Sequence, residues 1–456
     1  MTMTRFRFIV AVVSLTGTLT GCVDFSGPRL DASPNDPTNS NYVASFTGFQ
    51  GFQFGNLNGD YTRLSTIFVQ QMAGTGRQWI TLDAPYVNDE GNFGTWNSFY
   101  TNGGLVDIRK VQGFARTLGD LQAVGIAQVW EALTMSYVAD FWGDAPYREA
   151  LKTRTPKLDP QRQIYGDLQS LLDTAITNLA GVGPGPRQFD LVYSGNTAKW
   201  TRMARSLKAR LFLRTANVDN SAYGAALAQA TQGISNPADD FKTYQSGTVG
   251  EENIWFQFRR GRGTDVGAGT LLVNLLKARN DSRLSSYLSL AGDGTYRGAT
   301  PGQEDETVSW LSAARGDAAF RQPIMTADET QLIIAETNAR AGNVAAALAA
   351  LNVVRARYSN ATAVGLTGSA LLTAILEEKY VSNFQSPEAW ADYKRTCYPN
   401  VALANGATSI PLRFIYGSDE RAANPNVPLP SAAQKRNAVN PLVTTAPDGS
   451  PCRGQR

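Results

Sequence analysis

Residues 327–357 read ADETQLIIAETNARAGNVAAALAALNVVRAR, and their punctuation sets the architecture. Helix-forming residues fill Ala327 to Ala341 and again Val344 to Arg357, and Gly342-Asn343 stands between them as a break. Ala335, Gly342, Ala347 and Leu351 fall where two paired helices cross, and small residues there let the helices approach closely. A helical hairpin of this kind cannot bury its apolar face alone, so it requires stacked neighbours elsewhere in the chain.

Those neighbours are legible upstream. From Leu121 to Phe141, the residues Val124, Ala127, Trp130, Leu133, Tyr137 and Phe141 recur at three- and four-residue spacings, the stripe of an amphipathic helix, and Gly143 and Pro146 end it. Asp159-Pro160 reads as an N-cap followed by a first-turn proline for a helix whose apolar face carries Ile164, Leu168, Leu171, Leu172, Ala175, Ile176 and Leu179. A third helix spans Thr197 to Asn217, where Arg202, Arg205, Lys208, Arg210 and Arg214 read as long side chains covering a helix surface and pairing with acids. A fourth covers Tyr223 to Gln232. The expected fold is mainly α, with tetratricopeptide-like helical hairpins, an irregular loop-rich insertion and a few short strands. The scaffold occupies about 43–235 and 325–396, the insertion about 236–324, and a loop-rich tail 397–456, together one domain. Within the insertion, Ile254-Trp255-Phe256-Gln257-Phe258 alternates as a strand does.

The N-terminus carries an address. Arg5 and Arg7 precede the apolar run Phe8 to Leu15, too short to span a bilayer, and Leu19-Thr20-Gly21-Cys22 has the form of a lipoprotein cleavage site. Residues 1–21 are expected to be a signal peptide, Cys22 the lipidated first residue held in a membrane by its acyl chains, and 22–42 a tether rich in Asp, Pro, Asn and Ser. Val23, rather than Asp, follows the anchor and favours the outer membrane. With Cys22 acylated in an oxidising compartment, Cys397 and Cys452 are expected to pair. Closing so long a loop contributes about 4 kcal/mol in the chain-entropy picture.

Histidine is absent from all 456 positions, which removes Ser-His-Asp and Cys-His catalysis and every histidine-ligated metal. A carboxylate pair of the glycosidase type survives this exclusion. The formal charge of +3 includes two signal-peptide arginines, leaving the mature chain near neutrality and without the basic face that nucleic acid requires. No metal site is expected, since Asp281 and Asp293 lack the spacing of a calcium loop.

The order of motifs resembles the SusD/RagB family of outer-membrane lipoproteins. Asp140-Phe141-Trp142-Gly143-Asp144-Ala145-Pro146-Tyr147 with Glu149-Ala150 is similar to the family's "fGDvPy…eA" segment, and Ile164-Tyr165-Gly166-Asp167-Leu168 to its "iy..i..DL". Trp200 to Leu213, Asn280-Asp281-Ser282-Arg283-Leu284, Ala335-Glu336, Leu351-Asn352-Val353-Val354-Arg355 and Asn424-Pro425-Asn426 resemble further family segments in the same order. Ser386-Pro387-Glu388-Ala389-Trp390-Ala391-Asp392-Tyr393-Lys394-Arg395 departs from the pattern, where the family usually has an Arg-rich run. The resemblance implies a non-catalytic, cofactor-free surface protein that captures a glycan, or in some relatives a peptide. It also implies a partner, a SusC-like TonB-dependent transporter barrel over which the protein sits as a lid. The alternatives are a peptide-binding lid, a carboxylate-dependent glycosidase on the same tether, and a pure assembly scaffold.

Sugar recognition pairs aromatic faces with amide and guanidinium groups on hydroxyl edges. Arg77, Trp79, Tyr86, Trp96 and Asn97 offer that mixture among glycines, as do Trp255 and Tyr296 in the insertion. Trp96 also matches a structural position of the family, and Trp255 also reads as a core residue. Arg259-Arg260-Gly261-Arg262 is a candidate to face an acidic ligand or the transporter rim.

Overall fold

Helices start and stop where capping side chains and glycines dictate. In the computed structural model, residues 42–83, 95–404, 407–429, 439 and 443–454 are described. The signal peptide, Cys22, most of the tether and Tyr86 lie outside them. In chain order the elements are α1 (Tyr42–Asn58), α2 (Asp60–Phe68), β1 (Met72–Gly74), α3 (Gln78–Asp83), α4 (Thr95–Tyr100), α5 (Leu105–Thr117) and α6 (Leu121–Trp142). Then come α7 (Gln161–Leu179), α8 (Thr197–Thr215), α9 (Ser221–Ala230), β2 (Phe241–Lys242), α10 (Ile254–Arg262), β3 (Val266–Ala268), α11 (Thr270–Ala278) and α12 (Arg283–Tyr287). The chain continues through β4 (Pro323–Met325), α13 (Ala327–Arg340), α14 (Val344–Arg357), α15 (Gly368–Ser382), α16 (Glu388–Thr396) and α17 (Ser418–Ala423).

The 22-residue α6 is the axis of the fold. Asp120 caps it by accepting from the Ala123 N–H at 3.0 Å, and Gly143, at φ +82°, ends it. The expected amphipathic stripe is buried, but so is nearly every residue from Ala123 to Trp142, because α5, α7 and α8 enclose the helix. It is a core helix, buried on all sides, with Glu131 and Asp140 paired to Arg109 and Arg214. Trp130 packs among Phe49, Phe54, Trp200 and Phe241, and Trp142 among Tyr61, Trp96 and Phe99. At α7 the capping differs from expectation. Pro160 is itself the N-cap, Asp144 accepts from the Gln161 N–H at 2.9 Å, and Asp159 instead accepts from the N–H groups of Tyr147 and Arg148. The carboxylates thus stitch the turn after α6 to the start of α7.

The hairpin α13–α14 forms as read. Thr326 caps α13, Gly342 makes the turn at φ +78°, and Ala335, Ala347 and Leu351 are fully buried against Leu371 and Ile375 of α15. Helix pairs α6–α7, α8–α9 and α13–α14 pack successively, with α9 and α15 both resting on α13. Strands are few and short: β1 pairs antiparallel with β3, and β2 with β4. Ile254–Phe258 is not a strand. Asn253 caps it as the helix α10, its side chain accepting from the Trp255 N–H at 2.8 Å.

Buried ion pairs tie the helices together. Arg210 and Arg214, expected on the surface of α8, are only 2% and 4% exposed in their side chains, because Asp140 of α6, Glu329 of α13 and Glu388 of α16 converge on them at 2.5–2.9 Å. Glu336 receives Arg395 at 2.6 Å and Lys379 at 2.8 Å, and Asp392 also binds both cations. Glu378 receives Arg283 and Arg279, each at 2.6 Å. The segment that departs from the family pattern therefore supplies charges to two buried clusters. Asp281 is likewise held by Arg283 at 2.6 Å. Among the described residues no group of three Cys, Asp or Glu side chains is placed to hold a metal.

Burial pulls the Lys394 amine down to about 7, against the attraction of Asp140, whose carbonyl accepts from it at 2.5 Å. Its folded value lies below its unfolded value, so the unfolded chain binds the extra proton between pH 7 and about 10 and stability rises across that window. Urea unfolding at pH 7.5 and 9.5 is expected to show a gain of up to about 1.4 kcal/mol per pH unit from this group. Lys394→Met should flatten the rise; an equal slope in both proteins would refute the assignment.

Cys397, at φ +59° just past the end of α16, is joined to Cys452 with Cα atoms 5.2 Å apart. Arg453 donates its N–H to the Tyr393 hydroxyl at 3.2 Å and accepts from the Ile410 N–H. The tail is thereby fastened to α16.

Candidate ligand-binding site

Glycines bring the two sequence regions with candidate residues together. β1 and β3 pair through Met72 with Ala268, Ala73 with Gly267 and Gly74 with Val266. A Cβ at Gly269 would sit 2.2 Å from the Gln70 carbonyl oxygen, and one at Gly298 would sit 2.4 Å from the Thr270 nitrogen. Backbones crossing this closely admit no side chain. Residues 72–82, 254–269 and 296–310 meet there. Gly269→Ala is expected to cost about 2 kcal/mol through forced backbone shifts, read as a lower thermal midpoint; an unchanged midpoint would contradict the close crossing.

The segments that meet at this crossing carry cations and aromatic rings. The Arg77 side chain is 57% exposed, its Nε on Asp265 Oδ1 at 2.8 Å, and its Nη2 donates to the Arg262 carbonyl at 3.0 Å. Arg260 pairs with Glu252 at 2.6 Å and lies over the half-buried Phe256 ring at 5.6 Å. Arg259 lies over Trp310 at 5.1 Å. Tyr296 is half-buried on the segment that Arg297 fastens by donating to Asp305 at 3.0 Å and to Thr307 at 2.6 Å. Arg77 and Tyr296 thus remain available at the surface.

Trp79 and Trp255 do not. They are 2% and 0% exposed, and the Arg63 guanidinium lies 5.7 Å from the first ring, 5.1 Å from the second and 4.0 Å from Phe258. Asp60 holds Arg63 at 2.7 Å, while burial lowers the Arg63 pKa more than Asp60 restores it. Trp255 Nε1 also donates to Asn58 at 2.9 Å. The two indoles are therefore spent on a buried cation and support these segments from beneath. Trp96 is corrected similarly: at 3% exposure it packs 4.8 Å from Trp142 and 5.7 Å from Tyr416, in a different aromatic cluster. Asn97 beside it is exposed.

Phe256, Arg63 and Asp265 went unread in the sequence as parts of a site. Several buried polar atoms in and beneath these segments lack a hydrogen-bond partner among the described residues: Asn58 Nδ2, Arg63 Nε and Nη1, Glu252 Oε2, Asp265 Oδ2 and Trp310 Nε1. Guanidinium donors, carboxylate acceptors and half-exposed rings in these segments are of the kinds suited to hydroxyl-rich ligands. Among the described residues no helix is long and apolar enough to cross a membrane.

The chain matches, over residues 34–417, the family model described as starch-binding associating with outer membrane, SusD-like. Among solved structures it is similar to a SusD/RagB family protein from Bacteroides thetaiotaomicron, with a TM-score of 0.71 and 22% identity over 88% of this chain and 98% of that one. It is also similar to a chitin-binding SusD homolog from Flavobacterium johnsoniae, with a TM-score of 0.74 and 19% identity over 88% of this chain and 99% of that one. No curated protein sequence matches it. The helical architecture agrees over nearly the full length of these structures, and with the family match over most of the chain it shows that this protein belongs to the SusD-like family.

Proposed function

We propose that the protein binds an oligosaccharide on the patch of Arg77, Phe256, Arg260 and Tyr296 and delivers it, without chemical change, to a SusC-like TonB-dependent transporter barrel in the outer membrane. The observation that carries this reading is the family match over residues 34–417, whose description joins starch binding to the outer membrane. The chitin-binding neighbour of the same fold supports a glycan as the ligand class. The patch supplies what a pyranose requires: ring faces for its C–H side and guanidinium groups for its hydroxyls. The lipid anchor at Cys22 belongs to the same proposal, since a tethered body is free to swing against a barrel as a lid.

Calorimetric titration of the purified protein with maltooligosaccharides, chitooligosaccharides and a peptide mixture tests the reading. Saturable binding to at least one glycan series is expected, with no new reducing ends after prolonged incubation. Binding to peptides alone would move the protein to the peptide-capturing alternative. Appearance of reducing ends would establish a glycosidase instead.

A further inference from the structure

Arg340 stands between two open clefts of about 470 and 630 Å³. The first is bounded by α13, the start of α15, the end of α16 and tail residues 443–447. The second lies at the start of α9 beside Tyr223. Neither shares a residue with the patch of Arg77 and Phe256, so a ligand held here is independent of the proposed glycan site.

An ion cluster lies behind Arg340: Glu336 and Asp392 face Arg395, Lys379 and Arg340, and Lys379 also acts on Glu329 of the neighbouring cluster. Both carboxylates, Lys379 and Arg395 are at most 10% exposed in their side chains, whereas Arg340 is 24% exposed. Of these three cations, Arg340 is the one that reaches the surface. Its Nε donates to Glu336 at 3.0 Å, its plane is held over the Tyr223 ring at 4.9 Å, and its two terminal nitrogens have no hydrogen-bond partner among the described residues. A guanidinium fixed at its Nε edge and open at its fork matches a carboxylate. Asn217, Ser369 and Thr445 line the first cleft with Arg340, the Asn217 amide nitrogen donating to the Arg395 carbonyl at 2.9 Å.

We propose that this cleft is a second ligand site, which takes a small hydroxycarboxylate of the size of a uronic acid. The carboxylate sits on the Arg340 fork, and the ring hydroxyls meet Asn217, Ser369 and Thr445. The ligand carboxylate pairs with a partly exposed guanidinium, so binding weakens with salt.

Nuclear magnetic resonance titration of the protein with D-glucuronate tests this. Saturable binding with a dissociation constant on the order of a millimolar is expected, at least tenfold tighter than for D-glucose, which lacks the charge, or acetate, which lacks the hydroxyls. Arg340→Met should lose at least tenfold. Ser369→Tyr, which fills the cleft from an exposed position and leaves the ion cluster intact, should lose as much, and it decides the matter if Arg340→Met does not fold. Glucuronate binding that is absent, matched by acetate or glucose, or unchanged in Ser369→Tyr overturns the proposal.

Discussion

Glu336→Ala is expected to destabilise the protein by about 4 kcal/mol, the cost typical of breaking a buried ion pair by removing one partner. Glu336 is fully buried and receives Arg395 through both carboxylate oxygens, at 2.6 and 2.8 Å, as well as Lys379 at 2.8 Å. Burial alone would raise its pKa, but Arg395, Lys379 and Arg340 together hold it well below the usual carboxylate range. Removing the carboxylate leaves Lys379 and Arg395, with side chains 3% and 1% exposed, to share Asp392. Urea unfolding reads the loss without the screening that guanidinium salts bring. The exposed pair Arg148–Asp167, with side chains 51% and 27% exposed, is the contrast. Arg148→Ala is expected to leave the urea midpoint nearly unchanged, because water and salt already weaken such a pair. Equal losses in the two variants would show that burial of the Glu336 cluster contributes nothing.

The helical hairpins were legible because local chemistry specifies them. Thr326 as a cap, Gly342 in the turn and Ala335, Ala347 and Leu351 on the facing surfaces all lie within one short stretch. Helix α10 was not legible. Trp255, Phe256, Gln257 and Phe258 alternate as a strand would, and the decisive features, the Asn253 cap and Gly263 at φ +56°, are single residues at its ends. The burial of Arg210 and Arg214 escaped reading for another reason. Their carboxylate partners Asp140, Glu329 and Glu388 come from three other helices, and no local pattern records that convergence.

The same limit applies to the site. Arg77 and Tyr296 were readable as surface groups of a glycan-binding kind, but an aromatic ring in a glycine-rich segment does not reveal what covers it. Trp79 and Trp255 are covered by Arg63, contributed by α2, a separate helix upstream of both. The glycines carried the better signal. Gly269 and Gly298 mark where backbones touch, and that crossing is what places Arg77 beside Arg262.

The proposed glycan patch rests on Phe256 and Tyr296 as stacking surfaces. Both rings are half-buried, so truncating them removes ring faces from the surface while leaving Trp79, Trp255 and Arg63 in place beneath. Each ring contributes on the order of 1 kcal/mol or more to a stacked sugar, so the double variant Phe256→Ala/Tyr296→Ala should weaken binding by at least about thirtyfold. Its unfolding midpoint should stay near that of the unaltered protein, since partly exposed side chains contribute little to the core. The deciding measurement is the dissociation constant of this double variant, by calorimetry, for whichever oligosaccharide the unaltered protein binds. A rise of about thirtyfold or more with an unchanged unfolding midpoint is the expected result. An unaltered dissociation constant would place the glycan elsewhere on the molecule and contradict the assignment of this patch.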